Sequence, residues 1–233
     1  MKVQPLLHRH KHPTQMLQFA ELALAQELIH NGSSIPYLYY LAVEHYLTKR
    51  YENAISHILT AVREYGKDYC LWSLMGHCHH GLQNKVKAKE CYGYIVDSYD
   101  RPKDIHLVAL RFGTYCLQDK NYRQAREIFY DVCKNSPTPA SWLGVGIACY
   151  MMSRLREAEQ ALTEANILDN KCPVIWGYLT LISLRSHRCT EFEQCYKQTR
   201  RYNLQDKQIL QEIKLLQTRL KYPDPMPLPS NST

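Results

Sequence analysis

The chain has 233 residues, 45% hydrophobic and 22% charged, which is enough apolar side chain for a packed core and too much for a disordered chain. Nine glycines and eleven prolines make 20 of 233 residues, too few for an all-β chain that turns every ~8–12 residues, and the same scarcity excludes collagen-like and low-complexity chains. Lys plus Arg is 29 against 22 Asp plus Glu; the excess gathers toward the C-terminal end, where an acidic partner could use it but a solvated helix face accounts for it.

The opening MKVQPLLHRHKHP has no apolar stretch of the ~7–15 residues that a secretory signal needs, and residues 1–13 read as a basic flexible arm. No apolar run approaches ~18 residues, so no transmembrane helix is expected. Residues 14–30 carry the apolar spacing of a helix. From residue 35 the chain repeats itself. A basic or aromatic residue, two spacers and an alanine followed by bulky side chains recur around Ala54, Ala88, Ala125 and Ala158, a period of roughly 34 residues. The next step lands on Phe192, and one step back lands on Ala20. Ahead of each alanine stands a second pattern, as in Trp72-Ser-Leu-Met-Gly76, Ala109-Leu-Arg-Phe-Gly113 and Trp142-Leu-Gly-Val-Gly146. Leu38–Ala42 and Trp176–Thr180 are weaker copies. Apolar residues three and four apart predict two short helices per repeat. Pro137, Pro139 and Pro173 stand where one helix must end and the next begin.

The predicted repeats are 35–66, 69–100, 106–137, 139–170 and 173–204, with 14–30 as the second helix of a repeat whose first helix is missing, as in a piece or isoform of a longer repeat protein. Small residues at Ala42, Gly76, Gly113 and Gly146 on the first helix, and the recurring alanines on the second, are expected to let the two backbones approach. Trp72, Trp142, Trp176, Tyr92, Phe129 and Leu162 are expected to fill the space between neighbours. Residues 205–221 read as a closing helix, N-capped by Asp206, with Ile209, Ile213, Leu216 and Leu220 on one stripe. Residues 222–233, with alternating prolines, read as a disordered tail.

Nine cysteines are an odd number and no two are spaced C-x-x-C, so they read as small core thiols of a reducing, cytoplasmic compartment rather than as a disulfide framework. His77-Cys78-His79-His80 and His8-x-His10-x-His12 are the richest metal-type clusters. On a helix the first of these points its side chains around most of the circumference, and a basic arm explains the second, so no metal is assigned. No nucleophile elbow, zinc-protease helix, phosphate loop or dinucleotide fingerprint occurs, so neither an enzyme nor a cofactor is expected.

These phased repeats resemble the tetratricopeptide repeat (TPR), whose pattern is W-x-x-L-G early and A-x-x-x-F later in a unit of roughly 34 residues. The resemblance covers residues 14–204. It implies an all-α, right-handed solenoid of antiparallel helix pairs that binds proteins along a groove lined by the first helices. Carried over by repeat position, the groove residues are Tyr39, Val43, Tyr46 and Leu47 in the first repeat and His77 and His80 in the second. Leu110, Thr114 and Leu117 follow in the third, Leu143, Ile147 and Tyr150 in the fourth, Leu181 and Leu184 in the fifth. Only the two histidines could carry charge, so the Lys, Asn and Arg set with which some TPR proteins grip a C-terminal carboxylate is absent. Such a neutral aromatic groove suits an apolar or amphipathic helix, or burial against another part of the same longer protein.

Trp142–Tyr150, Arg156–Asn170 and Val174–Leu179, together with the closing Leu204–Leu220 helix, further resemble the C-terminal TPR array of the cilia- and flagella-associated protein 70 family, over roughly residues 35–220 with most of the weight in 142–179. That resemblance implies a non-enzymatic scaffold of the cilium or flagellum axoneme, associated with outer dynein arms and ciliary motility, with dynein-arm components as partners. A general cytosolic TPR adaptor, in a ubiquitin ligase or intraflagellar transport assembly, stays open beside it. RNA binding is disfavoured, because one-base-per-repeat readers place polar pairs where this groove is mostly apolar.

Overall fold

In the computed structural model the described residues are 13–30, 35–65, 68–98 and 105–220. The predicted arm at 1–13, except its last residue, and the tail at 222–233 lie outside them. Twelve helices and no strand occur among the described residues. They are α1 (Pro13–His30), α2 (Ile35–Leu47), α3 (Tyr51–Tyr65), α4 (Tyr69–Gly81), α5 (Lys85–Val96) and α6 (His106–Gln118), then α7 (Tyr122–Asn135), α8 (Pro139–Met151), α9 (Leu155–Leu168), α10 (Pro173–Arg185), α11 (Cys189–Arg201) and α12 (Lys207–Leu220). Over the stretches of the five predicted repeats the helices are α2 and α3, α4 and α5, α6 and α7, α8 and α9, and α10 and α11. The chain divides into two compact units, residues 1–115 and 116–233, with the division inside α6.

Helix starts follow side-chain chemistry. Asp68 Oδ1 accepts from the Cys70 amide, Asn84 Oδ1 from Lys87, and Asp206 Oδ1 from both Gln208 and Ile209. Thr138 and Ser141 form a reciprocal capping box ahead of α8, where Pro139 begins the helix at no cost in hydrogen bonds. The first helices of the five pairs end in short connections with one backbone feature in common. Lys49, Gln83, Lys120, Ser153 and His187 all have positive φ, between 56° and 61°. They recur once per helix pair, in phase with the repeat alanines. The amide of the following residue reaches back over the last turn of the helix, as in Asn84 to the His79 carbonyl and Arg154 to the Cys149 carbonyl. This closes a Schellman turn that normally favours glycine, and here no position carries one. Lys120→Gly is therefore expected to stabilise the chain by about 0.5–1 kcal/mol, because an L side chain in this region is strained. Thermal unfolding should show a midpoint a few degrees higher, and an unchanged or lower midpoint would contradict the strain argument.

The small residues sit where two helices nearly touch. Ala42, Ala54, Ala88, Ala125 and Ala158 have no exposed surface. In the first unit, a Cβ on Gly76 (α4) would lie 2.5 Å from the Tyr92 ring of α5. In the second, a Cβ on Gly146 (α8) would lie 2.6 Å from Leu162 of α9, and one on Gly144 would lie 2.6 Å from the Phe129 ring of α7. The fifth pair uses a different contact: Thr180 (α10) and Thr199 (α11) share a buried hydrogen bond of 3.0 Å. Tyr92, Phe129 and Leu162 are core residues, as expected. The three tryptophans are only half-buried, which differs from the expectation. Trp72 packs on Tyr94 with ring centres 4.7 Å apart, and Trp142 meets Tyr130 edge-on. The Trp176 Nε1–H donates to the Asn170 carbonyl at 2.8 Å. At Trp176 the rim of the helix pair supplies the polar partner that an indole N–H favours.

Cys78, Cys91, Cys116, Cys133 and Cys149 are buried as small core side chains. Burial pushes the Cys78 thiol up to about 12 and the Cys91 thiol up to about 11, so neither is a nucleophile at neutral pH. Helix α12 packs on α10 through Ile209, Ile213 and Gln217, and Ile209 and Leu204 close over Gly177. The covered stripe thus runs 209, 213, 217 rather than through Leu216 and Leu220, which stay half-buried.

Candidate protein-binding surfaces

In the first unit, side chains from three successive first helices and one second helix converge. Tyr46 (α2) lies 6.2 Å, ring to ring, from His77 (α4). His77 has no exposed surface, and its Nδ1 is 2.7 Å from the Tyr92 hydroxyl of α5. Arg111 (α6) sends Nη1 to the same Nδ1 at 2.8 Å and to the Tyr92 hydroxyl at 3.3 Å, and it also hydrogen-bonds the Tyr46 hydroxyl. A guanidinium only donates, so this arrangement assigns His77 the neutral tautomer with its proton on Nε2, which faces Ser73 Oγ at 3.4 Å. Beside this cluster, His80 Nδ1 is 2.6 Å from the Tyr115 hydroxyl. Burial raises the pKa of Tyr92 and of Tyr115, so both phenols stay neutral and neither balances the Arg111 charge.

In the second unit, a related group is closed by the chain itself. The Tyr150 hydroxyl (α8) donates to Glu212 Oε1 of α12 at 2.7 Å, and Arg185 (α10) donates to the same oxygen at 2.7 Å. The guanidinium carbon of Arg185 stands 4.3 Å from the centre of the Tyr150 ring. Tyr178 meets the same ring edge-on at 5.4 Å.

The residues carried over by repeat position separate into two sets. Tyr39, Val43, His77, Tyr150, Leu181 and Leu184 are buried and present no accessible surface. Tyr46, Leu47, His80, Leu110 and Thr114 in the first unit, and Leu117, Leu143 and Ile147 in the second, keep accessible surface, Thr114 the most. The expectation of a groove in which only histidine could bear charge does not hold: Arg111 sits among these side chains in the first unit and Arg185 in the second. The signal was present as a lone basic residue within the apolar run Leu107–Gly113, three and four positions before Thr114 and Tyr115 and so on their helix face. Among the described residues no three His, Cys, Asp or Glu side chains converge as a metal site; His77 and His80 instead point at tyrosines.

Burial lowers the pKa of His45, His79, His80 and His106, aided by Arg50 at His45, Lys87 at His79 and Arg111 at His80. All four lie in the first unit. Each binds its proton less readily folded than unfolded, so just below the ordinary value of 6.5 the unfolded chain holds more protons. Their contribution to stability is complete above 6.5 and falls as pH drops through the lower folded values. Hydrogen exchange, corrected for intrinsic rates, is expected to show protection of α2 and α4 weakening between pH ~7.5 and ~5.5 more than that of α8 and α10. Equal loss in both units would contradict it.

Comparison with known proteins settles the family. The model of the Cilia and flagella-associated protein 70 C-terminal domain matches residues 17–219. The chain belongs to this family. Human Cilia- and flagella-associated protein 70 is 35% identical over 211 residues, 90% of the chain and 19% of that protein. The protein of the same name from Macaca fascicularis is 38% identical over 140 residues, 60% of the chain and 14% of that protein. The chain thus spans less than a fifth of the length of these relatives. Among solved structures, YrrB, a TPR protein with an unusual peptide-binding site, matches with a TM-score of 0.70 at 12% identity over 82% of this chain and 98% of its own. A MamA RS-1 double mutant matches with a TM-score of 0.64 at 16% identity, over 72% of this chain and 93% of its own. The fold is the all-α TPR solenoid.

Proposed function

We propose that this chain is a non-enzymatic protein-interaction module of a cilium or flagellum axoneme protein, associated with outer dynein arms and serving ciliary motility. Its place in the Cilia- and flagella-associated protein 70 family supports the location. Convergence of three first helices on Arg111 is the observation that carries the binding role: this face keeps accessible tyrosine, leucine and threonine around a polar centre, a composition that suits a protein partner. The working surface is Tyr46, Leu47, His80, Leu110 and Thr114 in the first unit. Leu117, Leu143 and Ile147 offer a second one, and dynein-arm components are the expected partners.

Proximity labelling with the chain expressed in ciliated cells tests this. The expected outcome is labelled dynein-arm proteins in the axoneme. Labelling of ubiquitin ligase or intraflagellar transport subunits without them would move the reading to a general cytosolic adaptor.

A further inference from the structure

The Arg111 guanidinium is half-buried, and every partner it has among the described residues is neutral: His77 Nδ1, the Tyr92 hydroxyl and the Tyr46 hydroxyl. Other arginines drawn into the fold meet a carboxylate. Arg126 pairs with Glu157, Arg185 with Glu212, and Arg188 with Glu159 and Glu191. A guanidinium has five donors in a planar fork that matches a carboxylate, and a cation withdrawn from water without a counter-charge is the costlier state.

The second unit shows what completes such a group. Arg185 and the Tyr150 hydroxyl converge on one carboxylate oxygen, and that carboxylate arrives on α12, a helix outside the repeat pairs. The first unit has the guanidinium and half-buried Tyr46, with half-buried Leu47 and Leu110 next to them in sequence, and none of its described carboxylates is paired with Arg111.

We propose that the Arg111 guanidinium, with half-buried Tyr46 beside it, receives a single aspartate or glutamate side chain from a helical segment of a partner protein, as Arg185 receives Glu212. This rests on the reading of the first-helix face as a protein-binding surface and gives that surface its specificity.

Selection from a displayed library of helical peptides, run in parallel on the whole 233-residue chain and on Arg111→Met, tests it. Peptides selected by the unaltered chain should share one Asp or Glu flanked by apolar residues. Changing that acid to its amide in the synthesised peptide should weaken binding about tenfold or more to the unaltered chain and leave binding to Arg111→Met unchanged. Arg111→Lys, which keeps the charge and loses the fork, should fall between them and provides a folded comparison if Arg111→Met unfolds. Peptides with no shared acid, or an acid whose loss matters equally to both chains, overturn the carboxylate and leave the binding surface standing. A selection that yields no binding peptide overturns both.

Discussion

Gly146→Leu should lower the stability of the chain by about 1–3 kcal/mol, read as a lower thermal midpoint by circular dichroism. Two opposed effects meet at this position. Replacing a helix glycine by leucine gains up to about 1 kcal/mol in helix propensity. Against that, the new Cβ would stand 2.6 Å from Leu162 Cγ, with the Ala158 carbonyl oxygen at 3.5 Å. Leu162 has no exposed surface, so it cannot swing out to water and α8 must move away from α9. Packing at native density leaves no slack for that shift, and overpacking wins. Gly144→Leu should behave alike for the contact with Phe129 of α7. An unchanged midpoint in both would remove the close approach of backbones as the basis of the repeat.

Glu212→Ala carries the second large effect, on the order of 1–3 kcal/mol, concentrated in α12. Its carboxylate accepts from Tyr150, which is only 1% exposed, so truncation leaves a buried hydroxyl without its acceptor. The Arg185 side chain is 33% exposed and Glu212 30%, so solvent screens their ion pair and the cost falls toward the lower end of that range. Tyr150→Phe should cost less, because Glu212 keeps Arg185. Hydrogen exchange should show α12 losing protection while α2 and α4 keep theirs. Equal loss throughout the chain would mean that Glu212 does not hold α12 locally.

Much of the fold was legible because the repeat is enforced by geometry that needs particular residues. A close approach requires Ala or Gly, and those recur in phase where the structure buries them. Capping residues such as Asp68, Thr138 and Asp206 were equally readable, since they act on neighbours along the chain. Other features had no such signature. The left-handed turn residues are Lys, Gln, Ser and His rather than glycine, so composition hides a feature that recurs in every repeat. Tryptophan at the start of a first helix reads as core, yet Trp176 stays at the rim, where its N–H reaches the Asn170 carbonyl. Repeat position alone assigned Tyr39, Val43, His77, Tyr150, Leu181 and Leu184 to a binding groove, whereas packing buries them. It also passed over Arg111, whose role emerges only when His77, Tyr92 and Tyr46, drawn from three other helices, are seen around it.

Site-specific photocrosslinking in ciliated cells shows whether a partner occupies the first-helix face. A photoreactive residue at Thr114, exposed on α6 within the first-helix face, is compared with one at Glu52, exposed on α3. Discrete partner crosslinks are expected from Thr114, lost when Arg111→Met is introduced, and none from Glu52. Crosslinks to the same partner from Glu52 alone would contradict it.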